Sequence, residues 1–202
     1  MKMETIDVVV EKIVNGGYGF ARYDNKIYMI EHAYPGEFVR IKVKGNKKDV
    51  YFAEVVDYLE KSSYRNRPVC PHFQECGGCQ LLDLDYNEQL QIKTGIVKEQ
   101  IRRIGKLDDE LVFDAIGSDE IIHYRSKMEF AFSYNKGELK VGLKKRNSNE
   151  IVDIKKCLIA PKEFNKIISE TKKIFEALNL KIYNPKSRRG EFKHLLSQKQ
   201  SI

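Results

Sequence analysis

The sequence predicts a small all-β, OB-like barrel followed by an α+β central domain, and three observations carry that expectation. Residues from about 5 to 60 fall into short runs with turn residues between them and almost no helical period. From Asp85 onward a capped helical pattern is followed by a hairpin pattern and a second helix. Between the two lies Cys70-Pro-His-Phe-Gln-Glu-Cys76-Gly-Gly-Cys79-Gln, which holds three of the chain's four cysteines. The expected organisation is a barrel over residues 1–60, a central domain over 61–196 and a short aberrant tail over 197–202.

The barrel is read strand by strand. Ile6, Val8 and Val10 alternate with Asp7, Val9 and Glu11, and Gly16-Gly17-Tyr18-Gly19 punctuates the chain. That glycine stretch lacks the Gly-Lys-Ser/Thr of a phosphate loop and the spacing of a dinucleotide site, so it reads as a strand connection. Lys26 to Ile30 forms the next run, Pro35-Gly36-Glu37 turns the chain, and Tyr51 to Leu59 completes the set. In between, Val39, Ile41 and Val43 point one way, and Arg40, Lys42 and Lys44 the other. Lys47 and Lys48 extend this basic face, which suits phosphate contact. Tyr18, Phe20, Tyr23 and Tyr28 supply nearby aromatics, of which one or two would stack on bases while the rest fill the core.

The cysteine run places three thiols on one tight loop, with Gly77 and Gly78 allowing the backbone to wrap a bulky group, and Cys157 would close the cage from a distant segment. Ordinary buried thiols or disulfides of a secreted domain are the plain alternatives. The N-terminus has no apolar core of a signal peptide, and no run approaches the roughly 18 apolar residues of a membrane span. The expectation is therefore a cytoplasmic protein without membrane contact, where disulfides are rare. Zinc also takes four thiolates, or three with His72, but its usual pairing is C-x2-4-C on both sides. Only one side is paired here, which favours an iron–sulfur cluster.

After the linker from Lys61 to Pro68 and the cysteine loop, Asp85 and Glu88 form a capping box for a helix with Leu90, Val97, Ile101 and Ile104 at helical spacing, ended by Gly105. A hairpin follows, Lys127 to Tyr134 and Leu139 to Lys145 around a turn at Asn135-Lys136-Gly137-Glu138, and then Ile151 to Ile154 leads into Cys157. Lys144, Lys145 and Arg146 make a second basic patch at its far end. Pro161 opens a last helix with the stripe Phe164, Ile167, Ile168, Thr171, Ile174, Phe175 and Leu178. Across the 202 residues, 36 Lys and Arg against 29 Asp and Glu leave a formal charge of +7, whose sign favours a polyanionic partner.

These residues resemble one family closely, the RNA (uracil-5-)-methyltransferases that carry a TRAM domain and a [4Fe–4S] cluster. Glu11 to Arg22 looks like the opening TRAM hairpin and Pro35 to Arg40 its mid-barrel turn. Cys70 to Gln80 is similar to the cluster signature, Val152 to Cys157 to the segment bearing the fourth ligand, and Tyr124-Arg-Ser-Lys-Met-Glu-Phe130 to a stretch of the central domain. The likeness runs from about residue 8 to 196. It implies a [4Fe–4S] cluster on Cys70, Cys76, Cys79 and Cys157, structured ribosomal or transfer RNA as partner, and S-adenosylmethionine as cofactor of the full-length family. The RNA contacts would be Arg40, Lys42, Lys44, Lys47, Lys48, Lys144, Lys145 and Arg146.

Arg188 to Leu196 looks like the strand that leads into the family's S-adenosylmethionine-binding domain, and the chain ends six residues later. The expectation is thus a shortened product with the catalytic α/β Rossmann-like domain absent, inactive alone and monomeric. The family's chemistry needs a thiolate to add at uracil C6, and all four cysteines match cluster positions, so no catalytic residue is assigned. His32, His72, His123 and His194 read as structural or solvated. Two other readings remain: a complete iron–sulfur redox protein, and a stand-alone RNA-binding module with a zinc or iron–sulfur site.

Overall fold

The alternating pattern of the N-terminal third is realised as six strands: β1 Thr5–Val9, β2 Lys12–Val14, β3 Tyr18–Tyr23, β4 Lys26–Glu31, β5 Phe38–Lys47 and β6 Val50–Glu60. They form one sheet in the order β1-β5-β6-β4-β3-β2. Apolar residues on one face, Val8, Ala21, Tyr28, Ile30, Val39, Ile41 and Ala53, make its core. The long β5–β6 pair shifts register at three points, between Phe38 and Val39, Arg40 and Ile41, and Val43 and Gly45, and such irregularities let a long ribbon bend. This computed structural model describes residues 5–66, 70–135, 137–184 and 187–200. Residues 1–4, Arg67 and Pro68 of the expected linker, Lys136 of the hairpin turn and the last two residues of the expected tail lie outside that set.

The chain divides into two units, Met1–Arg67 with Gln80–Gly117, and Pro68–Cys79 with Ser118–Ile202. The first unit corrects the expected all-β barrel on two counts. Its sheet is mixed, because β4 and β6 run parallel with Ile27 opposite Val50 and Glu31 opposite Glu54. It also contains a helix, α1 Tyr86–Gln100. The Asp85 side chain caps α1 by accepting from Asn87 N–H at 2.9 Å, and the helix continues into a wider turn over Ile101–Gly105 before Lys106 reverses the chain at φ 55°. The expected stripe is not its buried face: Ile92 and Thr94 are buried, while Val97 and Ile104 are 47% and 80% exposed. Ile92 joins Ile13, Tyr34 and Leu84 in a small second core.

At the heart of this unit is a charge. Glu37 is fully buried and Arg65 nearly so, with side-chain exposures of 0% and 13%. Arg65 Nε donates to Glu37 Oε1 at 2.9 Å and Nη2 to Oε2 at 2.8 Å. Nη1 pairs with Asp83, and the guanidinium lies 4.4 Å and 4.6 Å from the ring centres of Tyr34 and Tyr58. Burial works against the Arg65 charge, but the Glu37 hydrogen bonds, with Tyr58 and Asp83, hold its pKa above the ordinary value. Around it, Asn66 N–H donates to Asp83 O at 2.6 Å and Asp85 N–H to Tyr64 O at 2.9 Å, so segments 64–66 and 83–85 are stapled together.

The second unit is built on an antiparallel sheet in the order β10-β7-β8-β9, with β7 Lys127–Asn135, β8 Glu138–Lys144, β9 Ile151–Asp153 and β10 His194–Gln198. Ser197 and Gln198, expected in a separate tail, are the last rungs of β10, opposite Met128 and Lys127. Helix α2 Lys162–Ala177 buries Phe164, Ile168 and Phe175. Ile167, Ile174 and Leu178 of the expected stripe are exposed, so the packed face is narrower than the sequence suggests. Phe175 stacks on Phe132 at 4.5 Å and meets Phe192 edge-on at 4.9 Å. The core is otherwise apolar, and Cys157 belongs to it, with Cys76 and Cys79 packed against its edge. No helix among the described residues is long and apolar enough to cross a membrane.

Candidate metal centre and nucleic-acid interface

All four cysteines fall in the second unit. The loop from Cys70 winds in tight turns, with Phe73 N–H donating to Cys70 O at 3.3 Å and Cys76 N–H to His72 O at 2.8 Å. It then runs as an edge segment against the end of β8: Cys76 bridges Lys145, and Gly77 N–H donates to Lys144 O at 3.0 Å. A side chain at Gly77 would start 3.0 Å from Lys144 O and Arg146 N, so only glycine fits without displacing backbone. Cys157 follows β9 and is gripped by Asn165 of α2, whose Oδ1 accepts from Cys157 N–H at 2.8 Å while its Nδ2 donates to Cys157 O at 3.3 Å. Lys155 N–H donates to His72 Nε2 at 3.2 Å, tying the loop to the Cys157 segment.

Burial and one another's charge bear on three of the thiols. Burial pushes the Cys79 thiol up to about 12, and the charges that Cys157, Cys76 and Cys70 would carry add to that rise. Cys76 is raised by burial and by Cys157 and Cys70, against Gly78 N–H, which lies 3.4 Å from its sulfur. Cys157 is likewise raised by burial, against N–H groups of Ala160 and Ile159 aimed at its sulfur. Arg125 pulls all three down. Three half-buried sulfurs and one buried one therefore penalise one another's ionisation, while backbone N–H groups and a guanidinium stand ready to stabilise thiolates.

Among the described residues, no group of three or more His, Cys, Asp or Glu is gathered tightly enough to hold a metal ion. A single zinc needs its sulfurs about 2.3 Å from one point, and these thiols are close enough to feel one another's charge without meeting there. A multi-iron cage spreads its ligands more widely. Four thiols, two of them with backbone N–H groups directed at sulfur, are the donor chemistry that an iron–sulfur cluster takes.

The basic residues divide between the two units. On β5, Arg40 spends its charge on Asp7, with Nε and Nη2 each 2.8 Å from a carboxylate oxygen, and this hydrogen bonding holds the Asp7 carboxyl below its usual range. Lys44 pairs with Glu54 at 3.0 Å. Lys42, Lys47 and Lys48 carry no ion pair among the described residues, and Lys47 and Lys48 are exposed. In the second unit Lys144 and Lys145 are exposed and Arg146 half-buried, all on the turn bridged to Cys76. Sequence reasoning missed Arg125, Lys155 and Lys156, which add cations beside the thiols; adjacency to Cys157 was the available signal for the two lysines. Of the histidines, His123 Nδ1 lies 2.7 Å from Ala160 O, His194 Nδ1 lies 2.6 Å from Glu129, and the backbone carbonyl of His32 accepts from Tyr58 and Arg65. An open groove of about 1080 Å³ near Tyr134, Lys172 and Arg189 is lined by none of the predicted site residues.

Residues 1–56 match the family described as the TRAM domain, and the chain as a whole is similar to RNA methyltransferases. A protein of Thermotoga maritima described as an uncharacterized RNA methyltransferase is 41% identical over 191 residues, which are 94% of this chain and 42% of that protein. One of Clostridium acetobutylicum with a like description is 34% identical over 200 residues, 98% of this chain and 44% of its own length. The chain therefore spans less than half the length of these relatives. Its fold matches that of Pyrococcus abyssi tRNA (uracil-54, C5)-methyltransferase, crystallised with S-adenosyl-L-homocysteine, at a TM-score of 0.65 and 21% identity over 94% of this chain and 42% of that one.

That match overturns the expected fold class. It covers both units, and the first of them is a mixed sheet with a helix rather than an all-β barrel. The expectation of a shortened product with its Rossmann-like catalytic domain absent does not stand either, since the likeness extends through nearly the whole chain and the position of its last residue carries no information about the complete protein.

Proposed function

We propose that this chain recognises structured RNA, ribosomal or transfer, and holds a [4Fe–4S] cluster as part of an S-adenosylmethionine-dependent RNA (uracil-5-)-methyltransferase. The 41% identity, across 191 residues and through both units, to a protein described as an uncharacterized RNA methyltransferase carries the reading. The TRAM match over residues 1–56 supports RNA contact by the first unit. Cys70, Cys76, Cys79 and Cys157 would hold the cluster, which when bound supplies a cross-link between two distant segments and a one-electron centre. The protein's own part is to present three thiols on one loop, aim N–H groups at the sulfurs, and keep the site half-buried. Lys42, Lys47, Lys48, Lys144 and Lys145 would meet phosphates, with Arg40, Lys44 and Arg146 in supporting positions; such contacts fix register without reading sequence.

Two measurements test this. Anaerobically purified protein should be brown with about four irons and four sulfides, as a four-thiolate cluster requires; one zinc and no sulfide would overturn the cluster. Binding to a structured RNA, followed by fluorescence anisotropy against salt, should give a log–log slope of roughly −4 for about five phosphate contacts at ~0.7 to 0.9 counterions each. Lys42→Ala with Lys44→Ala should flatten it by about one unit, because Lys44 is already paired with Glu54. A salt-independent affinity would remove the RNA reading.

A further inference from the structure

The second basic patch is not an independent feature of the surface. The turn between β8 and β9 closes on itself through Lys145 N–H to Glu150 O at 2.8 Å, Ser148 N–H to Lys145 O at 3.2 Å and Lys144 Nζ to Asn149 Oδ1 at 3.2 Å. Its outer edge, however, is completed by the cysteine loop. Cys76 bridges Lys145, Gly77 N–H donates to Lys144 O, and a Cβ at Gly78 would lie 3.3 Å from the Leu143 side chain, a close fit. The backbone of two cluster-loop residues therefore forms the rail on which Lys144, Lys145 and Arg146 are mounted. The opposite wall behaves alike: Lys155 N–H is held by His72 of the same loop, so Lys155 and Lys156 are also placed by it.

We propose that the four-cysteine site governs RNA binding by the basic turn at Lys144–Arg146: with the site loaded the loop is fixed and the turn presents its cations in register, and with the site stripped the rail and the turn loosen together. The inference rests on the RNA reading given above and names the device by which that surface is regulated. Two facts make the coupling physical. The loop has few apolar anchors of its own, Phe73 being its one buried residue before Cys79, and the few backbone contacts just named are its other attachments, which a loaded site would reinforce. And ordering a mobile turn at the moment of binding costs conformational entropy that a preformed one has already lost. The basic strand β5 belongs to the other unit and has no such rail, so its contribution should not depend on loading.

The test compares loaded and chelator-stripped protein for binding one structured RNA across a salt series. Loaded wild type should show a slope steeper than stripped by about 1.5, the release expected for two lysine contacts. Lys144→Ala with Lys145→Ala should bring loaded protein to the stripped value and leave stripped protein unchanged, whereas Lys42→Ala with Lys44→Ala should lower both alike. Hydrogen exchange supplies a readout without RNA: amides of 144–150 should lose protection on stripping, while those of β5 and β6 keep theirs. RNA binding of equal slope in loaded and stripped protein, or unchanged protection at 144–150, overturns the coupling and leaves the RNA reading standing. No salt-dependent RNA binding in either state removes that reading itself.

Discussion

The two units of this chain are held from within by opposite kinds of chemistry. The first places a charged group at its centre and satisfies it completely, with Arg65 bonded to Glu37, Asp83 and the His32 carbonyl and flanked by two tyrosine rings. The second has an apolar centre, Phe175 between Phe132 and Phe192, and keeps its polar requirement at the edge as four thiols. The first unit thus supplies the partners of its central charge from its own residues. The second would leave part of its cohesion to the cluster proposed above, a group the polypeptide cannot supply.

The comparison breaks most sharply at Cys157. Cys157→Ser should abolish the brown chromophore altogether and lower the unfolding transition of the second unit, with hydrogen exchange in β3 to β6 unchanged. A fully coloured variant would take Cys157 out of the ligand set. Next come the two centres themselves. Arg65→Met strands two buried carboxylates and should cost about 3–5 kcal/mol in denaturant unfolding of the first unit, and Phe175→Ala should cost about as much in the second through a cavity. Arg65→Lys separates the mechanisms, because an ammonium cannot reproduce the forked bonds to Glu37 and should recover little of the loss. Full recovery would show that charge alone, not geometry, holds the first unit.

The smallest effect sharpens the contrast by pH. Asp153, 30% exposed, pairs with Lys172 at 2.9 Å and accepts from Val141 N–H at 3.0 Å. Burial raises its pKa, but these two partners outweigh burial and the folded value is lowered. A depressed carboxylate contributes stability that is present above its unfolded value of 3.8 and lost as pH falls through the lower folded one. Asp153→Asn should therefore cost about 1 kcal/mol or less at neutral pH, after discounting for solvent, and nothing in strong acid. An equal cost at every pH would mean that the ion pair contributes nothing.

What the sequence made legible follows from the range of each interaction. Strand alternation, the Asp85 cap and the hairpin around Gly137 are local, and each stands where its residues suggested. The cysteine spacing is local too, and the likeness of the Cys157 segment to a fourth-ligand segment joined it to the loop. The Arg65 clamp was hidden, because Glu37, Arg65 and Asp83 lie on a turn, a linker and a loop, and nothing in their spacing announces that they meet. The faces of α1 and α2 were misjudged for a related reason: periodicity marks which residues could be buried, and only the partner surface decides that Ile92 is and Ile104 is not. The parallel pairing of β4 with β6 likewise depends on a crossover that no turn motif encodes.

The second unit is discontinuous along the chain, with its cysteine loop before Gln80 and its body after Gly117. During synthesis the loop leaves the ribosome first, followed by all of α1 and only later by the segment that carries Cys157. The first unit has every residue it needs by Gly117 and can fold while the rest is still being made. For that interval three thiols are displayed to the cell with no fourth to join them, exposed to oxidants and to stray metal. If the four cysteines hold the proposed cluster, the order of residues in this chain makes its delivery a late event in biosynthesis, open only once Cys157 has emerged.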